Sequence, residues 1–225
     1  MPYAKKILFI WDFHGTLEKG NVRAVQELVN RVGSIYKINN KITIAQTAEL
    51  YGLSWIDYFR FIHPQGNIFI WNEMKQNAEK TQLKHKIVEQ YIKPQSYARY
   101  VLKKIKQKGH SNIIISNSNP KWLKYSVKLI KLNNFIDEII GLDIHHVELE
   151  DTDVIEEKVK AINKYLHHKK YDKIIKIGDR ESDIVVGQKI GAVTYFFRNM
   201  INVNQKLEIR PDFEIKDLRK LFKGL

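Results

Sequence analysis

The stretch ILFIWDFHGTL, residues 7–17, decides the fold of this chain. Its first part is a run of five apolar residues without polar alternation, which predicts a strand buried on both faces, Ile7–Trp11. A polar segment, Asp12–Thr16, follows at once. In open parallel sheets, ligands bind at the carboxyl ends of the strands. The stretch therefore predicts a buried strand with a functional loop at its end.

Further short apolar runs follow the same pattern. They predict strands at Asn112–Ile115, Ile139–Ile144, Lys173–Ile177 and Ala192–Phe197. Between these strands lie amphipathic stretches that predict helices at Lys121–Leu132, Val154–Leu166 and Asp183–Ile190, the last ending at Gly191. Alternation of strand and helix implies right-handed crossovers. The predicted fold class is α/β, a Rossmann-like parallel sheet covered by helices on both faces.

One region breaks this alternation. Residues 18–93 read as a mainly helical insertion, with helices predicted at Val22–Val32, Thr43–Tyr51, Ser54–Ile62, Ile70–Glu79 and Gln82–Tyr91. A helix over Gln95–Lys108 then returns to the core. The predicted domains are a core of residues 1–17 and 94–225 and a helical cap of residues 18–93. Most of the cap's aromatic residues are expected to pack in its own core, with one or two left to line a cleft: Trp55, Tyr58, Phe59, Phe61, Phe69 and Trp71.

Composition excludes several kinds of protein. The 225 residues include no cysteine, which rules out disulfide scaffolds, thiolate zinc sites and thiol nucleophiles. The N-terminal apolar run is too short for a signal peptide, and no long uncharged apolar run occurs elsewhere. We therefore expect a soluble, cytoplasmic protein without a transmembrane segment.

The net charge of +13 favours anionic partners. Lysine supplies 30 of the 38 basic residues, and arginine, the better reader of bases, is scarce, so nucleic acid is disfavoured. Lys121, Lys124, Lys128 and Lys131 recur at helical spacing and form a lysine stripe. A solvated helix face is the simplest interpretation of that stripe. The alternative is a surface for an acidic partner protein or an anionic membrane.

Three strand ends carry polar residues. The segments are Asp12–Thr16, Ser116–Ser118 and Gly178–Asp183. Each alone is explained by an ordinary turn or helix cap. Together, at the same end of their strands, they predict a common site. A further polar segment after the third strand contains adjacent histidines and is expected to be a solvated acidic turn rather than a metal site: His145, His146, Glu148, Glu150 and Asp151.

This ordered set of motifs resembles the haloacid dehalogenase-like superfamily, which consists mostly of magnesium-dependent phosphotransferases. The first motif of that family, Asp-x-Asp-Gly-Thr after a strand, is matched by Asp12–Thr16 except at its second aspartate. The second motif, a Ser or Thr that closes a strand, is matched by Ser116, and the fourth, Gly-Asp-x-x-x-Asp, is matched in full by Gly178–Asp183. The third, a lysine on the preceding helix, is matched by Lys158, with Lys160 as the reserve.

The resemblance implies a magnesium-dependent phosphatase in which Asp12 is the nucleophile and forms an aspartyl-phosphate. Mg²⁺, which prefers oxygen ligands, would be held by the metal-ligand set Asp12, the backbone carbonyl of His14, Asp179 and Asp183. Ser116 and Lys158 would stabilise the transferring phosphoryl group.

The resemblance also implies a phosphate-binding set around the nucleophile. Gly15 and Thr16 would form a phosphate cradle, with Asn117 and Lys160 as further candidates for substrate binding. The expected partner is a phosphorylated substrate, either a small molecule or a phosphoprotein.

His14 replaces the aspartate that, in the family's phosphatases, acts as the general acid and base. Two interpretations remain open. The imidazole, with an ordinary pKa of about 6.5, performs the same proton transfers, or the step is impaired and the chain is a weak enzyme or a binding scaffold that uses its lysine faces. Transfer to an acceptor other than water is a further alternative. Because a weak acid matters least for a good leaving group, aryl phosphates such as phosphotyrosine are the favoured substrates.

Overall fold

The structure is a computed structural model that describes residues 5–144 and 153–224. The acidic turn expected around His145 and His146 lies outside the described residues. The strands are β1 (Ile7–Trp11), β2 (Glu18–Lys19), β3 (Lys93–Pro94), β4 (Ser111–Ser116), β5 (Glu138–Gly141), β6 (Lys173–Gly178), β7 (Val193–Phe197) and β8 (Phe213–Ile215). The helices are α1 (Asn21–Ile35), α2 (Ile44–Glu49), α3 (Trp55–Ile62), α4 (Ile68–His85), α5 (Ile87–Tyr91), α6 (Ala98–Gln107), α7 (Pro120–Leu129), α8 (Val154–Leu166) and α9 (Glu181–Lys189), with 3₁₀ turns at Asn133–Phe135 and Leu218–Gly224.

Within the described residues, six strands form a parallel sheet in the order β5-β4-β1-β6-β7-β8. The central strand β1 is buried along its whole length, as its continuous apolar run predicts. Alternate residues of β1 serve the two faces. Leu8 and Ile10 pack with Ile162 of α8 and Val186 of α9, whereas Trp11 donates a hydrogen bond to Asn112, whose amide in turn reaches the backbone of α6. Helices therefore cover both faces, and the predicted α/β fold class is confirmed.

Three predicted boundaries in the core were wrong, and the backbone explains why. Helix α6 begins at Ala98 rather than Gln95, because Tyr97 before it has a φ of 65°. The third strand ends at Gly141 rather than Ile144, and Asp143 beyond it has a φ of 52°, which an extended strand does not allow. Helix α7 ends at Leu129 rather than Leu132, and Lys131 has a φ of 58°. Lys131 therefore lies beyond the helix that carries the other three lysines of the stripe.

Strand β8 at the sheet edge was not predicted. It pairs in parallel with β7, and only its last residue, Ile215, is buried. A three-residue strand with a single buried side chain leaves almost no apolar run to detect. The segment between β7 and β8 contains Asn199 and Asn202, which contact the site described below.

The chain divides into two compact units, one of which contains Lys19–Lys93. Helices α1–α5 make up that unit, and its core is built from α1, α3 and α4, with Phe59 and Met74 fully buried. Tyr58 also lies in this core, and Trp55 and Trp71 pack against it, as expected for most of the aromatic residues. Two of the six depart from that expectation: Phe61 and Phe69 are 36% and 82% exposed.

Helix α4 is longer than predicted. The sequence predicted a break between Glu79 and Gln82, but the helix runs without interruption to His85. The turn comes at Lys86, which has a φ of 48°. The side chain of Gln82 stabilises this corner, because it accepts a hydrogen bond from the backbone of Val88. A buried polar side chain with a local backbone partner is difficult to distinguish from a helix break in sequence.

Among the described residues, no helix combines the length and apolar character that crossing a membrane requires.

Candidate active site

The carboxyl ends of three neighbouring strands, β4, β1 and β6, lie side by side in the sheet. In the register of the sheet Trp11 lies beside both Ile114 of β4 and Ile177 of β6. Asp12 continues this pairing, because its backbone N–H donates to the carbonyl of Ile177 at 2.8 Å. The polar residues that follow the three strands therefore lie together at the carboxyl ends of the strands, where parallel sheets bind ligands.

Three buried carboxylates form the centre of this edge. Oxygen atoms of Asp12, Asp179 and Asp183 all lie within 4.8 Å of one another, and the side chains are nearly excluded from solvent. Asp12 follows β1, Asp179 follows β6, and Asp183 lies in the first turn of α9. Three carboxylates this close repel each other strongly in a poorly solvated place. Such an arrangement requires cations.

Two buried lysines supply part of the positive charge. Nζ of Lys158, on α8, lies 3.2 Å from Oδ1 of Asp183 and 3.7 Å from Oδ1 of Asp12. Nζ of Lys176, on β6, lies 2.7 Å from the same Oδ1 of Asp183. Burial alone would lower the pKa of Lys158, but the charges of Asp183 and Asp12 hold it above its ordinary value. The ammonium group of Lys158 therefore stays charged at neutral pH.

The three carboxylates differ in pKa because the two lysines are not equally close to all of them: both contact Asp183, and Lys158 also lies near Asp12. Burial would raise the pKa of Asp183, but Lys158 and Lys176 lower it to about 2. Burial and the charge of Asp183 raise the pKa of Asp12 to about 6. Burial and the charges of Asp12 and Asp183 raise that of Asp179 to about 8. At neutral pH the protein alone is therefore short of positive charge around Asp179.

The first loop approaches Asp179 closely. Gly15 has a φ of 81°, and a Cβ at this position would lie 2.1 Å from Oδ2 of Asp179, so glycine is required for both conformation and space. Thr16 is fully buried, and its Oγ1 lies 3.5 Å from Oδ1 of Asp179. Asn199, in the loop after β7, donates to Oδ2 of Asp179 at 2.8 Å and to the carbonyl of Gly15 at 3.0 Å. Asn202 donates to the backbone carbonyl of Asp179 at 2.8 Å. Asn199 and Asn202 thus fix Asp179 against the first loop.

His14 is held by a buried glutamate. Nδ1 of His14 lies 2.7 Å from Oε2 of Glu18, whose side chain is fully buried, while the His14 side chain keeps 21% exposure. Burial lowers the pKa of His14, but the hydrogen bond to Glu18 and its charge outweigh this and raise it above 6.5. A proton on Nδ1 that is donated to Glu18 leaves Nε2 as the nitrogen that exchanges protons elsewhere.

Ser116 ends strand β4, and Asn117 follows it at the same end of the sheet. Ser116 is buried, and its Oγ lies 3.2 Å from Oγ of Ser118. The side-chain Oδ1 of Asn117 is buried and has no hydrogen-bond partner in the part of the chain that the structure describes. A hydroxyl and an amide at the strand end are groups that bind an oxyanion.

Lys160 does not join the site. Its side chain is 70% exposed and pairs with Glu157, at 2.7 Å, on the surface of α8. Residues two apart on a helix face different directions, so Lys158 and Lys160 cannot both reach the cluster. The prediction of Lys160 as a substrate-binding residue was wrong, and Lys158 is the lysine that the fold brings to the carboxylates.

Four residues that position the site were not predicted: Glu18, Lys176, Asn199 and Asn202. Two of them left a signal in the sequence. Glu18 lies four residues after His14, and Lys176 is a charge between the apolar residues Ile175 and Ile177 in the interior of its strand. The two asparagines follow β7 in a loop of ordinary composition, and only the fold brings them near Asp179.

The residues present fit a divalent cation with oxygen ligands. Oδ2 of Asp183 is buried and has no hydrogen-bond partner within residues 5–144 and 153–224. An unpaired carboxylate oxygen beside two further carboxylates is the donor set that Mg²⁺ prefers. Asp12, Asp179 and Asp183 would hold the ion, and the backbone carbonyl of His14 stays a predicted ligand.

Comparison with known proteins agrees with this geometry. The family model of the haloacid dehalogenase-like hydrolases matches residues 9–197, and the chain belongs to this family. No curated protein gives a match.

Similar solved structures include a predicted phosphoglycolate phosphatase from Haemophilus somnus, with a TM-score of 0.76 and 12% identity over 96% of each chain. A haloacid dehalogenase-like family hydrolase from Streptococcus pneumoniae has a TM-score of 0.73 and 13% identity over 98% of each chain. A predicted phosphatase from Clostridium acetobutylicum has a TM-score of 0.72 and 16% identity over 98% of this chain and 97% of that one. At these identities the similarity is one of fold.

Proposed function

We propose that this protein is a magnesium-dependent phosphomonoester hydrolase that works through an aspartyl-phosphate on Asp12. The observation that carries the proposal is the cluster of Asp12, Asp179 and Asp183, with Lys158 3.7 Å from Oδ1 of Asp12. A carboxylate nucleophile and a phosphate dianion repel each other, and the site supplies a lysine and a cation-binding donor set at the point of contact. Structures named as phosphatases share the fold, which supports the same chemistry.

In the first step, an oxygen of Asp12 attacks phosphorus and the bond from phosphorus to the leaving oxygen breaks, with its electron pair going to that oxygen. Protonated His14 donates a proton from Nε2 to the leaving oxygen. Lys158 and the hydroxyl of Ser116 stabilise the charge on the transferring group. When bound, Mg²⁺ would neutralise the carboxylates and withdraw charge from the phosphoryl oxygens.

In the second step, a water molecule attacks phosphorus and the bond between Asp12 and phosphorus breaks. Neutral His14 accepts the proton of the attacking water, so the enzyme returns to its starting protonation state. Inorganic phosphate is released. Glu18 keeps Nδ1 of His14 engaged through both steps, so that Nε2 is the atom that gives and takes the proton.

We infer that aryl phosphates, phosphotyrosine included, are the preferred substrates. An imidazole whose pKa lies above 6.5 is a weaker acid than the aspartate found at this position in the family. A phenol leaves with a pKa of about 10 and needs less help from an acid than an aliphatic alcohol does. Turnover of an aryl phosphate, phosphoserine and a sugar phosphate should be compared. Faster turnover of the aryl phosphate supports the inference, and equal rates would refute it.

The proposed function is tested by phosphate release from a panel of phosphomonoesters with Mg²⁺ and with a chelator. We expect release that requires the metal and that falls by at least about 10⁴-fold in Asp12→Asn, the scale of loss when a nucleophile is removed. Asp217→Asn, which changes a surface carboxylate paired with Arg219, is the matched control. Metal-dependent release that persists in Asp12→Asn contradicts the proposed nucleophile.

Two further outcomes of the panel correspond to other functions. A phosphorylated product in place of inorganic phosphate indicates transfer to an acceptor other than water. No turnover of any substrate favours a binding role, for which Lys121, Lys124 and Lys128 on α7, all exposed, are the candidate surface toward an acidic protein or an anionic membrane.

A further inference from the structure

Lys176 is a fully buried lysine in the interior of the sheet. It lies in β6, between β1 and β7, and its side chain has no exposure to solvent. A buried ammonium group is costly unless a charged partner and hydrogen bonds compensate for it. Its Nζ lies 2.7 Å from Oδ1 of Asp183 and 3.3 Å from the carbonyl of Ile177.

A glycine in helix α9, Gly187, leaves room for the side chain of Lys176 to reach Asp183. A Cβ added to Gly187 would lie 2.5 Å from Cγ2 of Thr194 and 3.1 Å from Cβ of Lys176, so the helix packs directly on the stem of the lysine. Gly187 is one turn after Asp183, which places both on the helix face toward β6. The side chain of Lys176 therefore runs beneath α9 to the carboxylate at its start.

Both lysines of the site converge on the same oxygen. Lys158 is 3.2 Å from Oδ1 of Asp183 and 3.7 Å from Oδ1 of Asp12, so it is divided between the two carboxylates. Lys176 takes the shorter contact with Asp183. Without Lys176, Lys158 would be the only charged partner of Asp183 shown by the described contacts and would move toward it, away from Asp12.

We propose that Lys176 is a positioning residue that acts through Asp183: by pairing with Asp183 it leaves Lys158 free to face Asp12 and the phosphoryl group. This inference rests on the proposed function of the site. It predicts that Lys176 governs the binding of phosphate without touching it. It also predicts that this influence is exerted only while Lys158 is present.

The test is calorimetric binding of inorganic phosphate, at a fixed saturating concentration of Mg²⁺, to the wild type, Lys176→Met, Lys158→Met and the double variant. Loss of an outer-sphere partner in a metal site costs about 10- to 100-fold, so we expect Lys176→Met to weaken phosphate binding by at least about tenfold. In the Lys158→Met background, Lys176→Met is expected to alter the affinity for phosphate by less than about twofold. Lys176 is proposed to act by keeping Lys158 available to Asp12 and the phosphoryl group, and Lys158 is absent from that background.

Two further variants and a stability measurement separate positioning from a structural role. Lys173→Met removes a lysine of the same strand that lies outside these contacts, and is expected to bind phosphate like the wild type. Lys176→Gln keeps a hydrogen-bond donor for Asp183 without the charge, and replaces Lys176→Met if that variant does not fold. Circular dichroism and thermal unfolding establish folding for each variant.

The outcomes are distinguishable. A wild type that binds no phosphate in the presence of Mg²⁺ contradicts the proposed function and this inference with it. Wild-type affinity in Lys176→Met overturns the inference alone, as does an equal loss in the presence and absence of Lys158. Failure of both Lys176 variants to fold makes Lys176 a structural residue and also overturns it.

Discussion

Asp179 is the residue on which stability and function conflict most clearly. Its carboxyl group is buried beside Asp12 and Asp183, and its pKa is raised from 3.8 to about 8. As pH rises from about 4 to about 8 the unfolded chain loses this proton first, so the folded state binds more protons and the free energy of unfolding falls. Asp183 behaves in the opposite way: its pKa is lowered, so its contribution is present above pH 4 and is lost as pH falls toward 2.

This asymmetry predicts that Asp179→Asn stabilises the protein in the absence of metal. At pH 8 we expect the melting temperature to rise by at least about 2–4 °C, which corresponds to about 1 kcal/mol for a chain of this size. At pH 4, where Asp179 is protonated, little change is expected. Thermal unfolding at both pH values in a chelator measures this, with Glu79→Gln, which changes an exposed carboxylate on α4, as the surface control. A melting temperature at pH 8 below that of the wild type would contradict the account.

His14 and Glu18 make a second prediction, for the pH dependence of the reaction. Glu18 raises the pKa of His14. Glu18→Gln is therefore expected to move the limb of the pH–rate profile that reports the titration of His14 to lower pH. His14→Asp is expected to move it in the same direction by more than one unit, because an ordinary aspartate has a pKa of about 3.9. Profiles of kcat against pH for the three proteins test this.

The double variant is the control for this interpretation. In the His14→Asp background, Glu18→Gln loses the imidazole through which it acts, so it is expected to leave the position of that limb unchanged. Identical profiles in the wild type and His14→Asp would exclude an acid or base role for His14.

At the scale of single residues, the sequence predicted those that follow strands. Asp12, Asp179 and Asp183 were found because strand ends and motif spacing are local, and the structure brings the three together. The role of Lys158 also depends on local spacing, whereas Lys160 had the same composition signal and lies on the other side of the helix. Asn199 reaches Asp179 across a sequence separation of 20 residues, and no local pattern records that contact.

Among the elements, α9 shows why packing decides function here. Its first turn contains Asp183, and its Gly187 lies directly against Thr194 of β7 and Lys176 of β6. We expect Gly187→Ala to lower the free energy of unfolding by about 1–3 kcal/mol, the typical cost of overpacking. Chemical denaturation measures it.

The exposed neighbour on the same helix supplies the control for this prediction. Gln188→Ala removes an exposed hydrogen bond to the carbonyl of Arg210 and is expected to lower the free energy of unfolding by less than about 1 kcal/mol. If Gly187→Ala were as stable as Gln188→Ala, the close approach of α9 to β6 would not constrain the fold.

The elements also show where periodicity is a sufficient guide. Helix α8 was predicted with the observed bounds because its apolar residues repeat regularly, and the structure shows that the side chain of Asp153 caps its start. Helix α4 was divided in two because its stripe is weak and its Gln82 is buried through a backbone contact. Sequence patterns do not predict hydrogen bonds that buried polar side chains make to distant residues or to the backbone of a turn.

For the whole molecule, metal binding and folding should be linked. A ligand that binds only the folded state stabilises it in proportion to the logarithm of its concentration over the dissociation constant. We expect Mg²⁺ to raise the melting temperature of the wild type progressively at pH 8, since the carboxylates it would bind are the ones that destabilise the metal-free protein. Asp179→Asn is expected to lose most of this response. A wild type that does not respond to Mg²⁺ would contradict the assigned donor set.

The most direct measurement is the identification of the phosphorylated residue. Rapid acid quenching during turnover of an aryl phosphate, followed by mass spectrometry of the peptides, locates any covalent phosphoryl group. We expect phosphate on the peptide that contains Asp12, in amounts that rise in His14→Asn, because hydrolysis of the intermediate then slows. Turnover without any phosphorylated peptide, or with the label on another residue, would contradict it.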